Sequence, residues 1–223
     1  MTKHLRVTME VIVRQLSAPT NVLEIGSLQE KNQRTIANLR SLFETSKYIG
    51  LDMRKGQGVD IVADAEKIPF RDNSFDLIIC LETLEHIKRP WVVVKEIERV
   101  LTQDGTVITS SQQNYPIHKH PYDYYRYTPF GMASLFDYLR EKVVFSISPP
   151  FDKEVKLNPQ AVVLIGWKIK NSQLANSIKN ALVENKKKIS VHKPYRHRLM
   201  DGLKYFKRGI VELNFRQEIE FFN

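Results

Sequence analysis

A single cysteine, Cys80, occurs among the 223 residues, which excludes an internal disulfide framework and fits a reducing compartment. Long hydrophobic runs are missing as well. The most extended apolar stretch, 161–167, is far short of the roughly 20 residues that cross a bilayer. After Met1-Thr2-Lys3-His4-Leu5-Arg6, valine and isoleucine are interleaved with Glu10 and Arg14. That leaves no uninterrupted apolar signal core, so no secretory signal is read and a cytoplasmic protein is expected. No Gly-x-Gly-x-x-Gly fingerprint follows the first apolar run, which counts against a nicotinamide dinucleotide site. Neither a phosphate loop nor a nucleophile–base arrangement is visible. What is present is an apolar fraction of 42% and a charged fraction of 26%, enough to bury the core of one globular domain with an appendage.

Charge is unevenly placed. Residues 151–223 carry 15 Lys and Arg against 7 Asp and Glu, leaving 19 against 18 in residues 1–150. Most of the formal charge of +9 therefore lies in the last third. Such a segment can meet phosphates on nucleic acid, on an anionic membrane surface or on a substrate, contact another subunit, or simply face water.

Apolar periodicity gives an α/β chain. The first twenty residues read as an amphipathic helix ending near Pro19. Val22–Gly26, Tyr48–Asp52, Val59–Ala63, Phe75–Leu81 and Thr106–Ser110 read as strands; the fourth is a near-continuous apolar run, as buried parallel strands are. Ile36, Leu39 and Phe43 predict a helix between the first two strands. Pro90 opens a helix with Trp91, Val94, Ile97 and Leu101 on one face, and Thr128-Pro129 opens another. Val143–Ile147 and Ala161–Ile169 read as a closing strand pair around Pro149-Pro150. Strands alternating with helices predict a three-layer sandwich over 1–170. Residues 171–223 read as a basic, mainly helical extension with a break near Pro194.

In a parallel sheet, the carboxyl ends of neighbouring strands line one crevice. The strand order brings Gly26, Asp52 and Asp64 to that edge. Glycine admits close backbone approach. One carboxylate can accept from ribose hydroxyls, and a second acceptor can read a base amino group. The pattern suits a nucleoside.

Val22-Leu23-Glu24-Ile25-Gly26, Gly50-Leu51-Asp52 and Asp64-Ala65-Glu66-Lys67-Ile68-Pro69-Phe70 resemble class I S-adenosylmethionine-dependent methyltransferases. Ser74-Phe75-Asp76-Leu77-Ile78, Leu84-Glu85-His86-Ile87 and Arg99-Val100-Leu101 with Asp104-Gly105 continue the resemblance in order, over roughly 21–111. The narrower likeness is to the type-11 group. Residues 116–129 are similar to members found among bacterial sugar and cell-surface polysaccharide enzymes. The resemblance implies a Rossmann-like, mostly parallel seven-stranded sheet with S-adenosyl-L-methionine as cofactor. It places Glu24, Gly26 and Ser27 by the methionine portion, Asp52 on the ribose, Met53 on the adenine face, and Asp64 with Ala65 at adenine. Cys80 and Leu81 come to the amino acid end, and Asp76 supports the sheet. One departure stands out: the family usually has more glycines after the first, whereas here Ser27-Leu28-Gln29-Glu30-Lys31-Asn32 follows. Either this loop takes another path or cofactor binding is weakened.

The stretch after the fifth strand supplies His118, His120, Asp123 and Arg126 among five tyrosines. Histidine suits removal of a proton from a hydroxyl acceptor, and Arg126 suits a two-pronged grip on phosphate or carboxylate. His118, His120 and Arg126 are thus the expected catalytic set, with His86 structural. His118-x-His120 also hints at a metal, but no third ligand is evident in sequence and no metal site is expected. The reading that follows is methyl transfer to a small-molecule or glycan acceptor, in cell-surface polysaccharide biosynthesis, peripheral to a membrane if the tail docks there. The alternatives are a nucleic-acid methyltransferase and a non-catalytic binding module. The first lacks a recognised RNA-binding module and any Asn-Pro-Pro-Tyr-like motif; the second is motivated by the glycine-poor loop.

Overall fold

The computed structural model describes residues 1–30, 34–118, 122–147, 160–189 and 219–222. Eight strands form one sheet: β1 (Asn21–Ile25), β2 (Lys47–Asp52), β3 (Ile61–Val62), β4 (Phe75–Leu81), β5 (Leu101–Gln112), β6 (Glu141–Ile147), β7 (Ala161–Trp167) and β8 (Ile219–Phe222). Their order is β3-β2-β1-β4-β5-β7-β6-β8. Pairings from β3 through β5 are parallel, and those from β5 through β8 antiparallel. The chain reverses direction of travel across the sheet between β1 and β4, the switch point at which such folds open a crevice.

Alternate residues along each strand feed opposite cores, because side chains point to opposite faces with a period of two. Val22, Leu77, Ile79 and Ile108 join one cluster; Leu23, Ile78, Cys80 and Val107 join the other. The first face is covered by α1 (Lys3–Val13), which contributes Leu5, Met9 and Ile12, and by α5 (Ser172–Glu184), which contributes Ala175, Ile178 and Leu182. The short α6 (Lys186–Ile189) adds Ile189, whose carbonyl accepts from His4 Nδ1 at 2.9 Å. On the second face, α3 (Pro90–Val100) buries Val93, Val94, Ile97 and Val100, and α4 (Pro129–Leu135) buries Met132. Each fully buried Leu or Ile of these layers stabilises by roughly 1.5–3 kcal/mol relative to exposure. The three-layer, Rossmann-like architecture is as expected.

Several boundaries differ from the sequence reading. The first helix ends at Val13, not near Pro19. Where a full helix was expected between the first two strands, only α2 (Arg34–Ala37) and a 3-10 turn at Arg40–Leu42 form. The Asn38 side-chain carbonyl accepts from Arg40 N–H, a local turn that competes with helical bonding. Arg40 then binds the carbonyls of Tyr48 and Gly58 and the Asp60 carboxylate, pinning the chain to the sheet edge. Leu39 and Phe43 are nonetheless buried, as their spacing implied. An eighth strand is added to the expected seven: β8 pairs antiparallel with β6, Glu220 opposite Ser146. Residues 190–218, with most of the expected basic extension and Pro194, lie outside the described residues, as does Pro149-Pro150.

Two polar devices fix the strand ends. The Asp76 carboxylate accepts from the backbone N–H groups of Thr20 and Asn21, both at 2.7 Å, joining the start of β1 to β4. Arg99 binds Glu96, Asp72 and the carbonyls of Ile68 and Phe70, while Glu96 accepts from Ile68 N–H. The segment after Asp64 is thereby held to α3.

Candidate functional site

A cavity of about 300 Å3 opens at the carboxyl ends of β1, β2 and β4. It is lined by Glu24, Gly26, Ser27, Asp52, Met53, Asp64, Ala65 and Leu81, all eight residues expected to meet the cofactor. Asp52 is buried; its Oδ1 accepts from Arg54 N–H at 2.9 Å and its Oδ2 from Leu28 N–H at 3.3 Å. Asp64 is more exposed and caps the turn at Ala65–Lys67, accepting from Glu66 N–H at 2.9 Å. Met53 is 63% exposed beside it, a thioether surface on which a flat ring can lie. Cys80 is fully buried in the sheet, its thiol held well above the ordinary range by that burial.

The glycine-poor loop takes a different path instead of filling the cavity. Gly26 has φ +78°, and a Cβ there would sit 2.0 Å from Thr83 Oγ1. Beyond it the backbone turns along β2: Gly26 and Ser27 N–H both donate to Leu51 O, and Gln29 N–H donates to Gln57 O. The glycine that this path needs stands on the opposite side. Gly58 has φ +90°, and a Cβ on it would meet Ser27 O at 2.5 Å. Ser27 is buried with its hydroxyl unpartnered. Asn32, the other polar residue expected to compensate, lies outside the described residues.

Residues 23–109 match the family model for a methyltransferase domain. Solved structures share the fold. An S-adenosylmethionine-dependent methyltransferase from Archaeoglobus fulgidus is 12% identical over 73% of this chain and 92% of its own, with a TM-score of 0.57. One from Thermotoga maritima is 18% identical over 74% and 91%, with a TM-score of 0.51. A third, 1,6-didemethyltoxoflavin-N1-methyltransferase from Burkholderia thailandensis, is 14% identical over 75% and 79%, with a TM-score of 0.52. It was solved with 1,6-didemethyltoxoflavin and S-adenosylhomocysteine bound. No curated protein matches the chain in sequence. Residues 23–109 are thus similar to a methyltransferase domain, and the sheet has the fold of such enzymes.

The electrostatics of the cavity favour a cation. Glu24 accepts from Tyr48 Oη at 2.7 Å, and burial pushes its carboxyl up to about 7. Glu82, at the end of β4, adopts φ +50°, a conformation non-glycine residues seldom take. It accepts from Ser110 Oγ at 3.1 Å and from Gln112 Nε2. Burial first, then the nearby Glu85 carboxylate, raise its pKa to about 8. Asp52 and Asp64 complete an acidic wall. A positively charged ligand relieves this crowding, whereas an anionic one would add to it.

On the acceptor side, His118 lines the cavity and Arg126 does not. The Arg126 guanidinium closes on both Asp123 oxygens and on the carbonyls of Tyr115, Pro116 and Tyr125. Here it forms a buckle across the loop, in place of the free two-pronged grip the sequence suggested. Asp123, so held, is kept well below the usual carboxylate range. His120 lies outside the described residues. His86, expected to be structural, lines the cavity with its ring 4.8 Å from that of His118. Burial lowers its pKa. The reading that His118 has no third metal-ligand partner also changes, because Glu85 and His86 come from the end of β4 to meet it. Glu82 and Glu85 are cavity-lining residues sequence reasoning missed, as is Tyr48, the partner of Glu24. The available signal was Glu82-x-x-Glu85-His86 directly after a buried strand, a charge density that a sheet end rarely carries without purpose.

Proposed function

We propose that this protein binds S-adenosylmethionine in the cavity at β1, β2 and β4 and transfers its methyl group to a small-molecule or glycan acceptor. The observation that carries this reading is the convergence of Glu24, Gly26, Asp52 and Asp64 on one acidic hollow. The residues fit the donor group by group. Asp52 keeps acceptor capacity beyond its two backbone bonds for a pair of ribose hydroxyls. Ala65 and Asp64 lie at the outer lip with Met53, where an adenine would rest. Gly26 leaves the backbone bare beside Glu24, where the amino acid end and the sulfonium would meet negative charge.

The donor supplies an already activated methyl group, so the protein's task is alignment. Glu24 and Glu82 favour the cationic form, and Tyr115 and His118, on a stretch pinned by Arg126, line the acceptor end. His118 lines that space and is a candidate base for a hydroxyl acceptor. The Burkholderia neighbour, with its small heterocyclic ligand, supports an acceptor of that size. Glycan and polysaccharide acceptors belong to the same reading through the 116–129 segment.

Isothermal titration with S-adenosylmethionine and S-adenosylhomocysteine tests the proposal. Both should bind with one site per chain, and Asp52→Ala should weaken each at least tenfold. Folded protein giving no heat with either ligand would leave only the scaffold.

A further inference from the structure

We propose that Glu85, His86 and His118 form a binding site for a divalent transition-metal ion beside the methyl-donor cavity. Among the described residues, one ligand atom from each of the three lies within 4.8 Å of the others. Rotations of the side chains close this to the roughly 3.4 Å that two ligands keep around a tetrahedral ion. A carboxylate with two imidazoles, leaving coordination positions open, is a donor set of catalytic zinc and non-haem iron sites rather than of magnesium, which prefers oxygen.

Two independent observations point to an ion. First, Glu85 is fully buried and only half satisfied. Ser111 Oγ donates to its Oε2 at 2.6 Å, while Oε1 has no hydrogen-bond partner among the described residues. A buried carboxylate oxygen without a partner is costly, and a cation would satisfy it. Second, both imidazoles are oriented as metal ligands are. His86 Nδ1 lies 2.6 Å from Tyr122 O, an atom that only accepts, so Nδ1 carries the proton. His118 Nδ1 lies 3.2 Å from Pro116 O and 3.1 Å from Asp123 Oδ2. With the proton fixed on Nδ1, Nε2 is the nitrogen each ring would present to an ion. Asp123 is in turn clamped by Arg126, which gives the buckle described above a purpose: it aims His118.

The ion would sit where the acceptor enters. The ligand class this implies is an acceptor bearing a hydroxyl, held on the metal as an alkoxide; this step rests on the methyltransferase reading. The hydroxyl proton passes to water and the oxygen pair forms the bond to the methyl carbon. The carbon–sulfur pair stays on sulfur, leaving neutral S-adenosylhomocysteine.

The test uses the full chain, stripped with chelator and titrated with Co2+ while visible absorption and thermal unfolding are followed. One equivalent should bind, with the ligand-field bands of nitrogen ligation and a raised Tm, and excess Mg2+ should not displace it. His118→Ala and Glu85→Gln should each weaken Co2+ binding at least tenfold with unchanged far-UV circular dichroism. Should Glu85→Gln fail to fold, His86→Ala carries the same expectation. Absence of the bands, or unchanged affinity in the histidine variants, overturns the site. S-adenosylhomocysteine titrated in parallel separates the two proposals: its binding without cobalt uptake sinks the ion site alone. Cobalt uptake without nucleoside binding upholds the ion site and sinks the methyl-transfer reading.

Discussion

Glu24 shows how one residue ties the sheet to the chemistry. It belongs to the second half of β1, paired with Gly50 on one side and Ile79 on the other, and is 8% exposed on the cavity wall. Among the described residues, Tyr48 Oη donates to it at 2.7 Å. Burial lifts its pKa from 4.5 to about 7, so the folded state holds this proton more tightly than the unfolded chain. The stabilisation from that proton is complete below 4.5 and is lost as pH rises to about 7. Glu24→Gln, which stays neutral, should therefore gain relative to the native chain by on the order of 3 kcal/mol between pH 5 and pH 8. Denaturant unfolding at four pH values across that interval measures it. In the presence of a sulfonium ligand the gain should shrink, because the ligand stabilises the ionised form that glutamine cannot adopt. Little of this was legible in the sequence. Glu24 was visible as a strand-end acid, but its partner Tyr48 is 24 residues away and meets it only through the parallel pairing of β1 with β2.

At the scale of elements, strands announced themselves and connections did not. β4 was read to the residue because a buried parallel strand is an apolar run with few other ways to fold. α3 was likewise plain from Pro90, but its face was only half right: Trp91, expected on it, is 52% exposed, Leu101 begins β5, and Val93 and Val100 are buried with Val94 and Ile97. The β1–β2 connection was misjudged because Ile36, Leu39 and Phe43 keep helical spacing while Asn38 supplies a competing local bond. The loop after Gly26 was harder still. Its conformation depends on Gly58, whose φ is +90° and whose missing Cβ leaves room for Ser27 O, which an added Cβ would meet at 2.5 Å. Gly58→Ala asks for a left-handed alanine and pushes a methyl into backbone. It should cost about 2–4 kcal/mol in chemical denaturation, by strain and overpacking together. Because the same loop walls the cavity, S-adenosylhomocysteine affinity should fall too, read by calorimetry at a temperature where the variant stays folded. An unchanged affinity would mean that residues 27–29 do not shape the site.

For the whole molecule, the described part of the last third packs on the same core as the first helix. A lysine-rich composition made residues 171–223 look like a separate solvated appendage, since composition registers charge but not which apolar residues share a face. Ala175, Ile178 and Leu182 recur on one side of α5 and enter the core shared with α1 and β6, leaving Lys179 and its neighbours outward. Ser177 Oγ even donates to Gln15 at 2.8 Å, closing a contact across 162 residues. β8 then completes the sheet by covering the outer edge of β6 along Val144–Ile147. An uncovered edge presents a row of unpaired backbone groups, which is a template for association. A chain truncated after Ile189 should keep α5 and α6 on the core yet lose that cover. Thermal unfolding should then move to lower temperature, and sedimentation velocity should reveal concentration-dependent self-association that the full chain does not show. If the truncated chain instead sediments as a monomer with an unshifted melt, β8 contributes nothing to the fold, and the sheet effectively ends at β6.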